Sequence, residues 1–256
     1  MNQPDPGERN HAPPGTERLL AGLTTEQAQA VTYGPGPLLL LAGPGAGKTR
    51  TLTHRAAYLL ASGRAQPWEI LAVTFSVRAA GELRLRLADL LGETVARGIT
   101  AATFHSVCAR LLREHASVFG RTERYTIYDQ GDMRRVIEWI LADPERTEVQ
   151  RALRECGQPS SSEVQSALSL AKNELLSPEI VRSKSRYQAA EVIAAVWTES
   201  EYELRGSNAW DFDDLLSFGV RLLRENPHRL RWIRSRWRWL LVDEFQDVNK
   251  AQAELV

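Results

Sequence analysis

The chain has 256 residues, enough for one large domain or two small ones, and its 43% hydrophobic and 25% charged side chains are ordinary for a globular protein with a real core. Thirty-two basic and 32 acidic residues cancel, so net charge selects no partner and only local charge is informative. Two cysteines, Cys108 and Cys156, exclude a disulfide framework or a cysteine metal cluster and suit a reducing, cytoplasmic setting, while no run approaches the roughly 20 apolar residues of a membrane span.

Residues 1–20 are rich in Pro, Gly, Asn and Glu and lack the apolar stretch of a secretory signal, so they read as a disordered leader. Order is expected from about Leu23, with a short helix over Thr24 to Val31. Pro35-Gly36-Pro37 breaks it. Leu38 to Leu41 follow without alternation, which predicts a strand buried on both faces. Thr49 to Ala61 reads as a helix, Ile70 to Phe75 as a buried strand, Ala79 to Leu91 as a helix, Ile99 to Thr103 as a strand and Phe104 to His115 as a helix. Strand and helix in alternation predict an α/β fold with a parallel sheet and right-handed crossovers.

From Tyr128 to about Arg205 the pattern is helical only. Asp129 can cap a helix whose apolar stripe is Met133, Val136, Ile137, Ile140 and Leu141. Ser177-Pro178-Glu179 is a helix start, and Ala189, Val192, Ile193, Val196 and Trp197 form another stripe. A helix over Asp211 to Arg224 and a strand over Trp239 to Val242 resume the α/β pattern. The expected organisation is an α/β domain of residues 21–115 and 206–256, interrupted by a helical insertion subdomain of residues 116–205.

Ala42-Gly43-Pro44-Gly45-Ala46-Gly47-Lys48-Thr49 sits between a predicted strand and an amphipathic helix, the context a phosphate-binding loop needs. Glycines let successive N–H groups face anionic oxygens, and the helix N-terminus adds a positive dipole end. Lys48 can reach the β and γ phosphates of ATP, and Thr49 can offer its hydroxyl to Mg²⁺. The usual pattern opens with Gly where this chain has Ala42. The bland reading is a glycine-rich turn. At the far end of the chain, Asp243 and Glu244 close an apolar strand, the edge at which α/β sheets bind ligands. Asp243 can hold Mg²⁺ and Glu244 can orient and deprotonate a water. The competing reading is an acidic turn capping the next helix.

On these motifs the chain resembles the UvrD/Rep type of superfamily 1 DNA helicase from Leu23 onward. The resemblance implies a RecA-like P-loop NTPase sheet, with the insertion as a helical subdomain. It also implies ATP and Mg²⁺ as cofactors, single-stranded DNA as partner, and 3′ to 5′ movement. Leu23-Thr24-Thr25-Glu26-Gln27 looks like the family's adenine-recognition motif, with Gln27 reading the base. Thr24 and Gln27 equally fit a capping box. Arg50 resembles the family's base-stacking arginine. Thr74-Phe75-Ser76 and Thr103-Phe104-His105-Ser106 are similar to segments that touch DNA, so Phe75, Thr103, Phe104 and His105 are candidate DNA contacts. Ser76-Val77 replaces a common Thr-Asn, and Phe75 also fits a core strand position. Asp211-Phe212-Asp213-Asp214 matches the family too and is read structurally, as acids complementing a helix dipole. Arg221 to Trp239 holds seven Arg and three Trp and reads as a solvated basic face with Trp partly in the core.

The family's motors also carry a second RecA-like domain that supplies γ-phosphate arginines and half of the DNA track. Its motifs are not found here, and the strand that follows the catalytic acids normally lies between the phosphate-loop strand and the Asp-Glu strand. The sequence therefore reads as the N-terminal portion of a longer protein. A truncated, non-catalytic nucleotide-binding module and the motor part of a helicase–nuclease are the alternatives.

Overall fold

The structure, a computed structural model, describes residues 16–183 and 189–256. These fall into two compact units, one of described residues 16–103 with 231–246 and one of described residues from 104–230 with 247–256. Residues 1–15 of the expected leader lie outside the described residues.

In the first unit, the elements in chain order are α1 (Glu17–Leu20), α2 (Thr25–Thr32), α3 (Lys48–Ala61), β1 (Ile70–Thr74), α4 (Val77–Leu91), α5 (Glu93–Ala96), β2 (Thr100–Thr103) and, late in the chain, β5 (Trp239–Val242). The helix α1 falls within the expected leader. His54 Nδ1 donates to the Leu19 carbonyl at 2.7 Å, which fixes that turn. The sheet is parallel with strand order β2-β1-β5, and Leu71 pairs with Thr100 on one side and Leu240 on the other. Every residue of β1 is buried, as a central strand with covered faces requires. Its core joins Ala56 and Leu59 of α3, Ile70 and Ala72, Leu83 and Leu87 of α4, and Leu241. The Ile70, Ile99 and Trp239 predictions therefore hold as strands, and the fold is mixed α/β with a parallel sheet.

Leu38 to Leu41 is a correction. The segment belongs to no strand, and its side chains are between 37% and 84% exposed. An apolar run states a demand for burial, but a strand also needs a ladder partner for its N–H and C=O groups. In this structure β5 is an edge strand, and Leu38 to Leu41 pairs with nothing among the described residues.

The second unit contains α6 (Phe104–Glu114), β3 (Thr126–Tyr128), α7 (Gln130–Ala142), α8 (Thr147–Cys156), α9 (Ser161–Asn173), α10 (Pro178–Ser183), α11 (Ala190–Gly206), β4 (Ala209–Asp211), α12 (Phe212–Glu225) and α14 (Lys250–Glu254). The residues of α13 (Pro227–Arg236) divide between the two units. Asp129 caps α7 by accepting from Asp132 N at 2.8 Å, as its position predicts. The two apolar stripes meet in one core, with Ile137 and Ile140 against Val192, Ile193, Val196 and Trp197. Two strands not expected from the residue pattern, β3 and β4, pair in parallel with Thr126 opposite Ala209. At three residues each they are too short to show a period.

Candidate functional site

Gly45 and Gly47 adopt φ of +74° and +81°, a left-handed backbone open to glycine at little cost. Gly47 is the N-cap of α3, so the loop turns directly into the helix that carries Lys48 and Thr49. A Cβ on Gly47 would stand 2.8 Å from Gln27 Nε2 and would displace that amide. Gln27 forms the capping box that its sequence offers and makes one further contact. Its Oε1 accepts from Thr24 N at 3.1 Å and Thr24 Oγ1 accepts from Gln27 N at 3.3 Å, a capping box. Its Nε2 donates to the Ala46 carbonyl at 2.9 Å, which ties the head of α2 to the phosphate loop.

Val73 accepts from Asp243 N at 2.9 Å, which extends the β1–β5 ladder one residue past β5 and delivers the acid to the strand tips. There Thr49 Oγ1 donates to Asp243 Oδ2 at 2.8 Å, across 194 residues of sequence. Lys48 Nζ lies 3.9 Å from Glu244 Oε2, and Gln246 Nε2 donates to the same carboxylate. Glu244 holds φ +52°, unusual for a residue with a side chain. The structure thus brings Lys48, Thr49, Asp243 and Glu244 together at the same edge of the sheet. The next α-helix, α14, takes no cap from these carboxylates, which reach the phosphate-loop helix, while Asp243 Oδ1 also accepts from Glu244 N at 3.2 Å. That helix, α14, is capped by Asn249.

The donor set fits a divalent cation. A hydroxyl and a carboxylate are hard oxygen ligands. Adjacent ligands of an octahedral Mg²⁺ bound at about 2.1 Å stand roughly 3 Å apart, and the 2.8 Å between Thr49 Oγ1 and Asp243 Oδ2 matches that spacing.

Among the candidate DNA contacts, Phe75 lies beyond the end of β1 and is 60% exposed, so the core-strand alternative does not hold. Thr103 and Phe104 are both 5% exposed, so neither offers a face to a ligand in this structure. His105 is half-buried, and burial pushes its imidazolium down to about 4. Its ring stacks on Phe212, with centroids 3.9 Å apart and planes 21° from parallel. Phe212 is 52% exposed and was missed by the sequence reading, which treated its segment as structural only. The structural part of that reading stands. Asp211 and Asp214 form the capping box of α12. Both also accept from the buried Lys172 of α9, Asp214 at 2.8 Å.

The profile of the UvrD/REP helicase N-terminal domain matches residues 23–256. The chain belongs to the UvrD/REP helicase N-terminal domain family. The chain is 39% identical over 251 residues to the ATP-dependent DNA helicase UvrD1 of Mycobacterium tuberculosis (strain ATCC 25618 / H37Rv), covering 95% of the chain and 31% of that relative. It is 37% identical over 240 residues to the ATP-dependent DNA helicase PcrA of Leuconostoc citreum, covering 94% and 31%. The figure for PcrA of Bacillus subtilis (strain 168) is 37% over 245 residues, again 94% and 31%. The chain therefore spans about a third of the length of these UvrD/REP relatives.

Proposed function

We propose that this chain is the ATP-binding part of an ATP-dependent helicase or translocase that moves 3′ to 5′ on single-stranded DNA. The observation that carries the proposal is the Thr49–Asp243 hydrogen bond, which closes the phosphate loop onto the acidic strand tip. Lys48 leaves Glu244 to bind the β and γ phosphates of ATP, and the loop amides between Gly43 and Thr49 cradle the same oxygens. Thr49 and Asp243 would hold Mg²⁺, which would supply charge neutralisation for the phosphates. Glu244, released from the lysine, orients the attacking water and takes its proton. Gln27 reads the adenine edge by exchanging its present partners for the base, and Arg50 stacks on it. Phe75 in the first unit, and the His105–Phe212 stack in the second, offer aromatic faces for DNA bases.

A second reading is favoured by one observation. The four leucines that lead into the phosphate loop are exposed and unpaired. On that reading the chain by itself binds ATP weakly and turns it over poorly, because the segment leading into its loop is not held. A single-turnover ATPase assay with and without oligonucleotide separates the two readings. In a protein carrying the whole motor, Glu244→Gln keeps ATP binding and lowers the hydrolysis rate by about 10²–10⁴, the usual share of a general base. Lys48→Ala abolishes nucleotide binding. Normal turnover in Glu244→Gln removes Glu244 from the mechanism.

A further inference from the structure

The residue with the most unusual surroundings near the nucleotide site is not one of its ligands. Arg55 lies on α3, two turns beyond Lys48 and Thr49, and only 8% of its surface is exposed. Its guanidinium donates to four backbone carbonyls of one short stretch. Nη1 bonds Ala30 O and Val31 O at 3.2 Å and Tyr33 O at 2.9 Å, and Nη2 bonds Gly34 O at 3.2 Å. These carbonyls belong to the last turn of α2 and the residues just past it, where a helix has no acceptor-satisfying N–H groups of its own. A cation there also meets the negative end of the helix dipole. The same guanidinium carbon lies 6.0 Å from the Tyr33 ring centroid and 5.8 Å from that of Trp239, the first residue of β5. Burial pulls the Arg55 pKa below its ordinary value, yet an arginine keeps its charge at any physiological pH.

The other end of α2 carries Gln27, whose Nε2 holds Ala46 of the phosphate loop. Contacts at the two ends of one eight-residue helix thus join it to the loop–helix unit that binds phosphate. The loop contact is a single exposed hydrogen bond and must open when Gln27 turns to a base. The Arg55 contact is fourfold and buried, and it stays.

We infer that Arg55 is the positioning residue for base selectivity: it anchors the C-terminal end of α2 to α3, so that Gln27 is held in register with the triphosphate cradle when its loop contact opens. The inference deepens the proposed function and rests on Gln27 reading adenine. It concerns selectivity between bases, not affinity for phosphate, because Arg55 touches α2 and not the loop amides. Lysine cannot replace it fully. Its ammonium lacks the planar fork that reaches four carbonyls at once.

The test is a set of equilibrium titrations on the chain, with ATP, GTP and inorganic tripolyphosphate as probes. The proteins are wild type, Gln27→Ala, Arg55→Lys and Arg55→Met, each checked for native circular dichroism. Wild type is expected to prefer ATP over GTP. Arg55→Met is expected to lose at least tenfold of that preference, as Gln27→Ala does, while its tripolyphosphate affinity stays within twofold of wild type. Arg55→Lys recovers part of the preference. If Arg55→Met folds and keeps the wild-type ratio, Arg55 does not position the reader. A parallel fall in ATP, GTP and tripolyphosphate affinity also overturns the inference, since it marks general loss of structure. If Arg55→Met does not fold, the decision passes to Arg55→Lys, which must show a reduced ratio with unchanged tripolyphosphate affinity. A wild type that binds tripolyphosphate without preferring ATP contradicts the adenine reading of Gln27 itself. A wild type that binds no probe contradicts the proposed nucleotide site.

Discussion

Glu244 keeps a left-handed backbone at φ +52° two residues past the end of β5. Such a conformation costs of order 1–3 kcal/mol and persists where surrounding structure enforces it. Here it follows Asp243, which is fixed by its backbone bond to Val73 and its side-chain bond to Thr49. Two adjacent carboxylates thereby reach different partners, one the hydroxyl and the other the lysine. The four residues of this site were legible in the sequence, because glycines, a lysine and strand-end acids have few other uses in that order. The His105–Phe212 stack was not legible, since nothing in either segment announces its partner. His105 also carries a pH signature. Its folded pKa of about 4 lies below the ordinary 6.5, so between those values the unfolded chain binds more protons than the native one. Stability contributed at neutral pH is therefore lost as pH falls through that window. Urea midpoints measured across it should fall less steeply in His105→Gln than in wild type. An unchanged slope would mean the imidazole is not held neutral.

At the scale of elements, the strands β1 and β5 were readable because each is an apolar run of fitting length. Leu38 to Leu41 has the same composition and a different fate, because composition cannot say whether a neighbouring strand is available. Amide hydrogen exchange tests the difference directly. Leu39, Leu40 and Leu41 should exchange with little protection, whereas Leu71, Ala72 and Val73, paired on both sides, should be strongly protected. Protection of the leucine amides would show a ladder this structure lacks. In the second unit, the link between α9 and α12 is ionic. Lys172 is 3% exposed, and although burial opposes its charge, Asp211 and Asp214 outweigh that penalty and hold its pKa above the ordinary value. Lys172→Met leaves two buried carboxylates without their cation, and the expected loss is about 3–5 kcal/mol in chemical denaturation. A loss under about 1 kcal/mol would place the pair among ordinary surface ion pairs.

At the scale of the whole molecule, a neutral chain gives no bulk electrostatic signal for DNA, and the proposed function rests on a cluster assembled from the two ends of the sequence. The α/β class and the helical stretch between Tyr128 and Arg205 could be read from period alone, since those helices carry continuous apolar stripes that meet in one core. The short β3–β4 pair, the fourfold anchor at Arg55 and the buried Lys172 could not, because each depends on a partner far away in the chain. The central claim is that Thr49 and Asp243 together hold the metal of a nucleotide site. Calorimetric titration of ATP into wild type and Asp243→Asn, each with and without Mg²⁺, addresses it most directly. Mg²⁺ is expected to tighten ATP binding in wild type, and Asp243→Asn to remove at least tenfold of this enhancement while metal-free binding is unchanged. An equal Mg²⁺ enhancement in the two proteins would contradict it.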